Sequence, residues 1–266
     1  MTINTFIANF ETPRGIFALS NIFYIFSHLA SFYLLLKIIM TEPDPDLSPL
    51  LLKLNNYGQN GLNRSIRGKE VQNLLAGYAN LADLMCSSDK DAIVEPMGAR
   101  RNALTHKRLK EFVEEFPLKE FGIQPGARVG VMLPNGPELA VALMGLISQW
   151  CAAPINLTNT WEETKSELQS TKAVAIIILT GATGNDAAIR AAEELGLGII
   201  TITPAGTFSG LFHLKILQPI SSASACSNDA VVDIRRSGRF RQVLVLHTSG
   251  TSGNKKLVPY HLDPLM

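Results

Sequence analysis

From Val129 to Ile202, apolar runs of strand length alternate with segments of helical length, and this alternation constrains the fold more than any other feature of the chain. Val129 to Leu133 leads into a helical segment from Pro137 to Ser148, Ala152 to Ile155 into one from Trp161 to Ser170, and Val174 to Leu179 into one from Asp186 to Leu195; a further strand follows at Ile199 to Ile202. Strands joined through helices return to one sheet in parallel, with helices packed against it. Pro137 stands in the first turn of its helix, where a missing N–H does no harm. The pattern predicts an α/β fold: a doubly wound, mostly parallel sheet with helices on both faces.

Upstream, Leu74, Leu75, Tyr78, Leu81, Ala82 and Met85 share one face of a helix predicted over Val71 to Cys86. Asp91 to Val94 and Ala103-Leu104 are expected to pair as a hairpin across Pro96-Met97-Gly98. Thr105 then reads as the N-cap of a helix running to about Phe116. Downstream, Phe240 to Leu246 is an apolar, β-branched run with the character of a buried strand.

With 266 residues, 46% of them hydrophobic and 18% charged, the chain can bury a core of one large or two modest domains. Its net charge is +1, and the basic pairs Arg100-Arg101 and Arg235-Arg236 are short and isolated, so no nucleic-acid partner is expected. Cys86, Cys151 and Cys226 are odd in number and far apart, which argues against a disulfide framework and for a reducing compartment. His28, His106, His213, His247 and His261 never fall at metal-ligand spacing, so no metal held by protein ligands is expected.

The run from His247 to Lys256, HTSGTSGNKK, follows directly on the strand predicted at Phe240 to Leu246. Gly250 and Gly253 let backbone N–H groups turn towards an anion without a Cβ in the way. Thr248, Ser249, Thr251 and Ser252 add hydroxyl donors, and Lys255 and Lys256 add positive charge. The run reads as a polyphosphate cradle at a strand end, where α/β sheets place ligands. A flexible Ser/Gly linker is the bland alternative, but linkers seldom combine hydroxyls, glycines and paired lysines directly behind a core strand. It is not a Walker A loop, because Gly250 and Gly253 are too close and no Ser or Thr follows the lysines.

A rival turn, Gly181-Ala182-Thr183-Gly184, sits between a strand and a helix in the outline of a dinucleotide fingerprint. It lacks the third glycine, and the strand Ile199 to Thr203 ends in Pro204 without the acidic residue that would hold a ribose, so it reads as an ordinary βα turn. Cys226, in the serine-rich stretch Ser221 to Asn228, has no base beside it in sequence and is not expected to act as a nucleophile.

Leu104-Thr105-His106-Lys107-Arg108-Leu109, then Arg128 to Asn135, Glu138 to Trp150 and Ala152 to Asn156, and finally the HTSGTSGNKK run occur in a fixed order. Together they resemble the AMP-binding, acyl-adenylate-forming superfamily of acyl-CoA synthetases, peptide-synthetase adenylation domains and luciferases, over roughly Arg67 to Met266. His106 stands where that family has tyrosine, Lys255 where it usually has proline, and Leu257 where a small residue is common. The resemblance implies an ATP-dependent ligase that joins a carboxylic acid to AMP and then to a thiol. In that setting Thr248, Ser249, Gly250, Thr251, Ser252 and Gly253 would hold the β- and γ-phosphates of ATP, and Lys256 would be the catalytic cation that neutralises the leaving pyrophosphate. Mg2+ on the phosphates is implied, as is coenzyme A or phosphopantetheine as acyl acceptor at a site outside this chain.

The family's adenine and ribose pockets, its acidic residue near magnesium, its hinge and its C-terminal domain all lie downstream of such a loop. The resemblance therefore predicts a partial N-terminal AMP-binding domain over 67–266, lacking full activity alone and missing a C-terminal half. The strand Val243 to Leu246 is expected to have one uncovered edge. The alternative is a non-enzymatic, membrane-anchored remnant of such a domain.

The membrane reading rests on Gly15 to Leu36, a stretch without formal charge that is rich in Phe, Tyr and aliphatic residues. It matches the roughly 20 residues that span a bilayer, giving a candidate transmembrane helix over about 15–37 within an extension 1–40. Asn21 and His28 weigh against it, and Arg14 and Lys37 at its two ends leave orientation open. Met40-Thr41-Glu42-Pro43 also resembles the ordinary start of a soluble enzyme, followed by a lead-in over 41–66. The expected location is thus the membrane if that helix forms, and the cytoplasm if it does not.

Overall fold

The computed structural model describes residues 80–95, 101–220, 241–248 and 256–262. The candidate bilayer segment 15–37, the lead-in 41–66, the Pro96-Met97-Gly98 turn and Ser221 to Asn228 lie outside them. Among the described residues, no helix is long and apolar enough to cross a membrane.

Of the helix predicted over Val71 to Cys86, residues 71–79 lie outside the described residues, and from Asn80 onward no α-helix forms. Asn80 is extended (φ −149°, ψ 174°), and a short 3-10 turn, Leu81–Leu84, starts after it. Asp83 N–H donates to Asn80 Oδ1 at 3.3 Å while Asn80 N–H donates to Asp83 Oδ2 at 3.0 Å, a reciprocal cap that starts a new element where apolar periodicity alone sees one continuous helix. Leu81, Ala82 and Met85 are nevertheless buried. The predicted hairpin forms: β1 (Asp91–Ile93) pairs antiparallel with β2 (Leu104–Thr105). Thr105 caps α1 (His106–Glu114), its hydroxyl accepting from Arg108 N–H at 3.4 Å.

Strands and helices then alternate as expected: β3 (Arg128–Met132), α2 (Pro137–Gln149), β4 (Cys151–Pro154), α3 (Trp161–Thr171), β5 (Ala175–Leu179), α4 (Asn185–Leu195) and β6 (Gly198–Pro204). Two strands the sequence pattern did not single out, β7 (Phe212–Gln218) and β9 (Lys256–His261), join β8 (Gln242–Thr248) in the same sheet. The order is β7-β6-β5-β3-β4-β8-β9. The inner five strands are parallel, and β7 and β9 close the two ends antiparallel.

The pleat divides the core. Val129, Val131, Ala175, Ile177, Ile200 and Ile202 pack on one face with Leu109 and Val113 of α1 and the apolar side of α2. Met132, Ile176, Ile178 and Ile199 point the other way, onto Leu168 of α3 and Ala188, Ala191 and Ala192 of α4. Burial on both faces is why the parallel strands read as unbroken apolar runs. Gly130 of β3 permits close approach on the α3 side, since a Cβ there would lie 2.8 Å from Leu168 Cδ2.

One expectation is overturned. Val243 to Leu246 has no bare edge, because β8 lies between β4 and β9, and both Val243 and Val245 are fully buried. Among the described residues, β9 is the outermost strand on this side of the sheet. Pro259, opposite Val245, suits that position because an edge strand can forgo one ladder donor.

Candidate phosphate-binding site

β8 is parallel to β4, and hence to β3 and β5, so the carboxyl ends of all four lie along one edge of the sheet. β4 and β5 flank β3 on opposite sides, and α2 packs on one face while α3 and α4 pack on the other. The reversal of winding therefore falls between β3 and β5, on the same carboxyl-end edge of the sheet but two strands from β8. Thr248 ends β8 at that edge, and Lys256 begins β9 directly across from it.

The other end of β8 is pinned. Arg241 Nη2 donates to the Ile147 carbonyl at 2.7 Å and to that of Ser148, capping the carboxyl end of α2. Burial pushes this guanidinium down to about 10, which leaves it cationic at neutral pH and favourably placed against the helix dipole. Gln242, the first residue of β8, accepts from Arg128 Nη2 at 2.7 Å, and Arg128 Nη1 donates to the Thr171 carbonyl at 3.0 Å. The strand thus reaches the ligand edge from an anchored start.

Of the predicted phosphate-binding residues, the structure brings Thr248 and Lys256 together. They are register partners, and Thr248 Oγ1 donates to the Lys256 carbonyl at 3.4 Å. Lys256 is exposed and Thr248 half-buried. Ser249, Gly250, Thr251, Ser252 and Gly253 lie outside the described residues, as does Lys255. The element after the run is an antiparallel strand rather than a helix, which separates this hairpin from a strand–loop–helix P-loop.

The sequence reading missed what lies beneath the hairpin. His247 turns towards α3, with Nε2 at 2.8 Å from Ser170 Oγ and Nδ1 at 3.7 Å from Glu167 Oε2. The Glu167 and His247 side chains are each only 8% exposed, so this contact is shielded from water. His247 opens the phosphate run, and Glu167 and Ser170 are one helical turn apart; those were the available signals.

The rival turn is built as a turn. Gly181 and Gly184 take φ values of 74° and 90°, and Asn185 Nδ2 donates to the Leu179 carbonyl at 2.7 Å, closing the connection into α4. A Cβ on Gly184 would lie 2.8 Å from the Leu157 carbonyl oxygen, so the glycine serves loop packing. His106 is buried at the start of α1, and burial, reinforced by Lys90, pushes its pKa down. Cys86 and Cys151 are buried thiols that form no disulfide. Among the described residues, no group of three His, Cys, Asp or Glu side chains could hold a metal ion.

The profile of the AMP-binding enzyme family matches residues 84–266, more than half of the chain. The acyl-CoA synthetase FUM10 of Gibberella moniliformis (strain M3125 / FGSC 7600) is 31% identical over 146 residues, which cover 53% of this chain and 26% of the relative. The chain therefore spans about a quarter of the curated relative's length. Among solved structures, apo MatB from Rhodopseudomonas palustris is similar in fold, with a TM-score of 0.50 and 18% identity over 70% of this chain and 35% of that one. The family match extends over α2, the parallel sheet and the β8–β9 hairpin, and the chain belongs to the AMP-binding enzyme family.

Proposed function

We propose that this chain carries the phosphate-holding part of an ATP-dependent acid–thiol ligase. The observation that carries the reading is the pairing of Thr248 with Lys256 at the ligand edge of a sheet belonging to the AMP-binding family. In the proposed reaction a carboxylate oxygen attacks the α-phosphorus of ATP, the bond to the β-phosphate oxygen breaks, and pyrophosphate departs with its charge. Thr248, Ser249, Thr251, Ser252 and the backbone at Gly250 and Gly253 orient the β- and γ-phosphates. Lys256 stabilises the charge gathering on the leaving group, the kind of preorganised electrostatic help that lowers such barriers. Hydroxyls, backbone N–H groups and an ammonium suit phosphate rather than a bare metal ion, so Mg2+ is assigned to the bound phosphates. The acyl-adenylate then passes to a thiol, with coenzyme A favoured over phosphopantetheine by the acyl-CoA synthetase relative. The AMP-binding portion is assigned to 67–266.

Equilibrium binding of labelled ATP to the full chain tests this reading. Saturable binding competed by pyrophosphate, and at least about tenfold less effectively by AMP, is expected if the proposed groups hold the phosphates beyond the α-position. Equal competition by AMP would place the nucleotide elsewhere. Acid-dependent exchange of pyrophosphate into ATP separates the two functional alternatives: we expect binding without exchange, whereas exchange would assign complete adenylation to the chain.

We further assign residues 15–37 as a membrane anchor, on the uncharged stretch Gly15 to Leu36. The full chain is expected to stay in the membrane pellet through alkaline carbonate extraction, and a version beginning at Met40 to be released. Equal behaviour of the two in the soluble fraction would remove the anchor.

A further inference from the structure

Ser170, His247 and Glu167 form a serine–histidine–carboxylate constellation just below the hairpin, and the direction of its hydrogen bonds decides what it can do. Ser170 Oγ donates to the Glu167 carbonyl at 3.0 Å, a bond in which the hydroxyl supplies the hydrogen. With its hydrogen so engaged, Ser170 Oγ meets His247 Nε2 at 2.8 Å through a lone pair, the arrangement that goes with the ring tautomer carrying its hydrogen on Nε2. A nucleophilic serine needs the opposite direction, with its proton passing to the imidazole. Ser170 also stands in the last turn of α3, where the backbone presents carbonyls rather than the N–H donors an oxyanion requires. The constellation is a strap.

We propose that His247 is a positioning residue that ties the end of β8 to α3 through Ser170 and Glu167 and thereby fixes Thr248 opposite Lys256. The inference rests on the phosphate-holding reading of that pair. Side chains alternate along a strand, so His247 reaches α3 from one face while Thr248 projects from the other. Its register partner is Leu257, next to Lys256, so restraint at His247 acts on both sides of the hairpin. With Arg241 pinning one end of β8 and His247 the other, the strand is held at both ends.

The test uses the full chain with His247→Leu and His247→Gln, the latter keeping a donor where Nε2 faces Ser170. One readout is amide hydrogen exchange; the other is affinity for pyrophosphate. For His247→Leu we expect faster exchange confined to residues 247–248 and 256–257, with Val243 to Val245 unchanged, and pyrophosphate binding weakened about tenfold. His247→Gln should recover most of both. Wild-type exchange at those four amides in His247→Leu would overturn the strap, as would a loss of protection spread evenly along β8, which marks a general packing role. If the wild type binds no pyrophosphate, the phosphate-holding reading falls while the exchange result still decides on the strap.

Discussion

Trp150→Ala is expected to destabilise the fold by about 3–5 kcal/mol, the range for removing a large aromatic side chain from a packed interior. Trp150 is fully buried at the junction between α2 and β4. Its indole N–H donates to the Ile123 carbonyl at 3.1 Å, and its ring lies 6.1 Å from that of Phe116. Phe116 is itself wedged edge-on against Phe112 and Phe212, at 5.9 and 6.2 Å, so the surroundings have little freedom to collapse into the space left behind. Gly145 shows the same tightness from the helix side, since a Cβ there would lie 2.6 Å from Phe116 Cε2. Trp150→Phe should cost less, keeping most of the packing and losing the hydrogen bond to Ile123. Urea denaturation reads both as a lower midpoint with an unchanged slope. A loss below about 1 kcal/mol for the alanine variant would mean that this cluster does not hold α2 against the sheet.

The parts legible in the sequence are those whose physics is local. Each parallel strand is buried on both faces, α3 and α4 bury one face, and α2 is buried almost all round but is too long for a strand and opens on Pro137, so run length and periodicity mark the elements from β3 to β6 to within a residue or two. β7 was equally readable in principle: Phe212, Leu214 and Ile216 alternate with His213, Lys215 and Leu217, the signature of a half-buried edge. β9 was harder, because Pro259 argues against a strand unless the strand is known to lie at an edge. The 3-10 turn after Asn80 depends on a side-chain cap that competes with an otherwise unbroken apolar stripe. At the site, Thr248 and Lys256 could be named from composition and order. The strap could not, because Ser170 and His247 are 77 residues apart and meet only once β4 has paired with β8.

Lys256→Ala is the second large effect expected. Lys256 is exposed at the start of an edge strand, so truncation should leave stability nearly unchanged, as surface substitutions usually do. Its loss should instead be felt by phosphate. A hydrogen bond to a charged group contributes about 1.5–3 kcal/mol, which corresponds to roughly 10- to 100-fold in affinity. Thr248→Val, which removes one neutral hydroxyl, should cost only about 1 kcal/mol. Because this electrostatic term is screened by salt, the variants must be compared at one fixed ionic strength. The most direct measurement is isothermal titration of pyrophosphate into the full chain and into Lys256→Ala, with thermal melting of both alongside. Saturable binding by the wild type, weakened at least tenfold in a variant of unchanged stability, is the predicted result; equal affinity in the two, or no binding by a folded wild type, would contradict it.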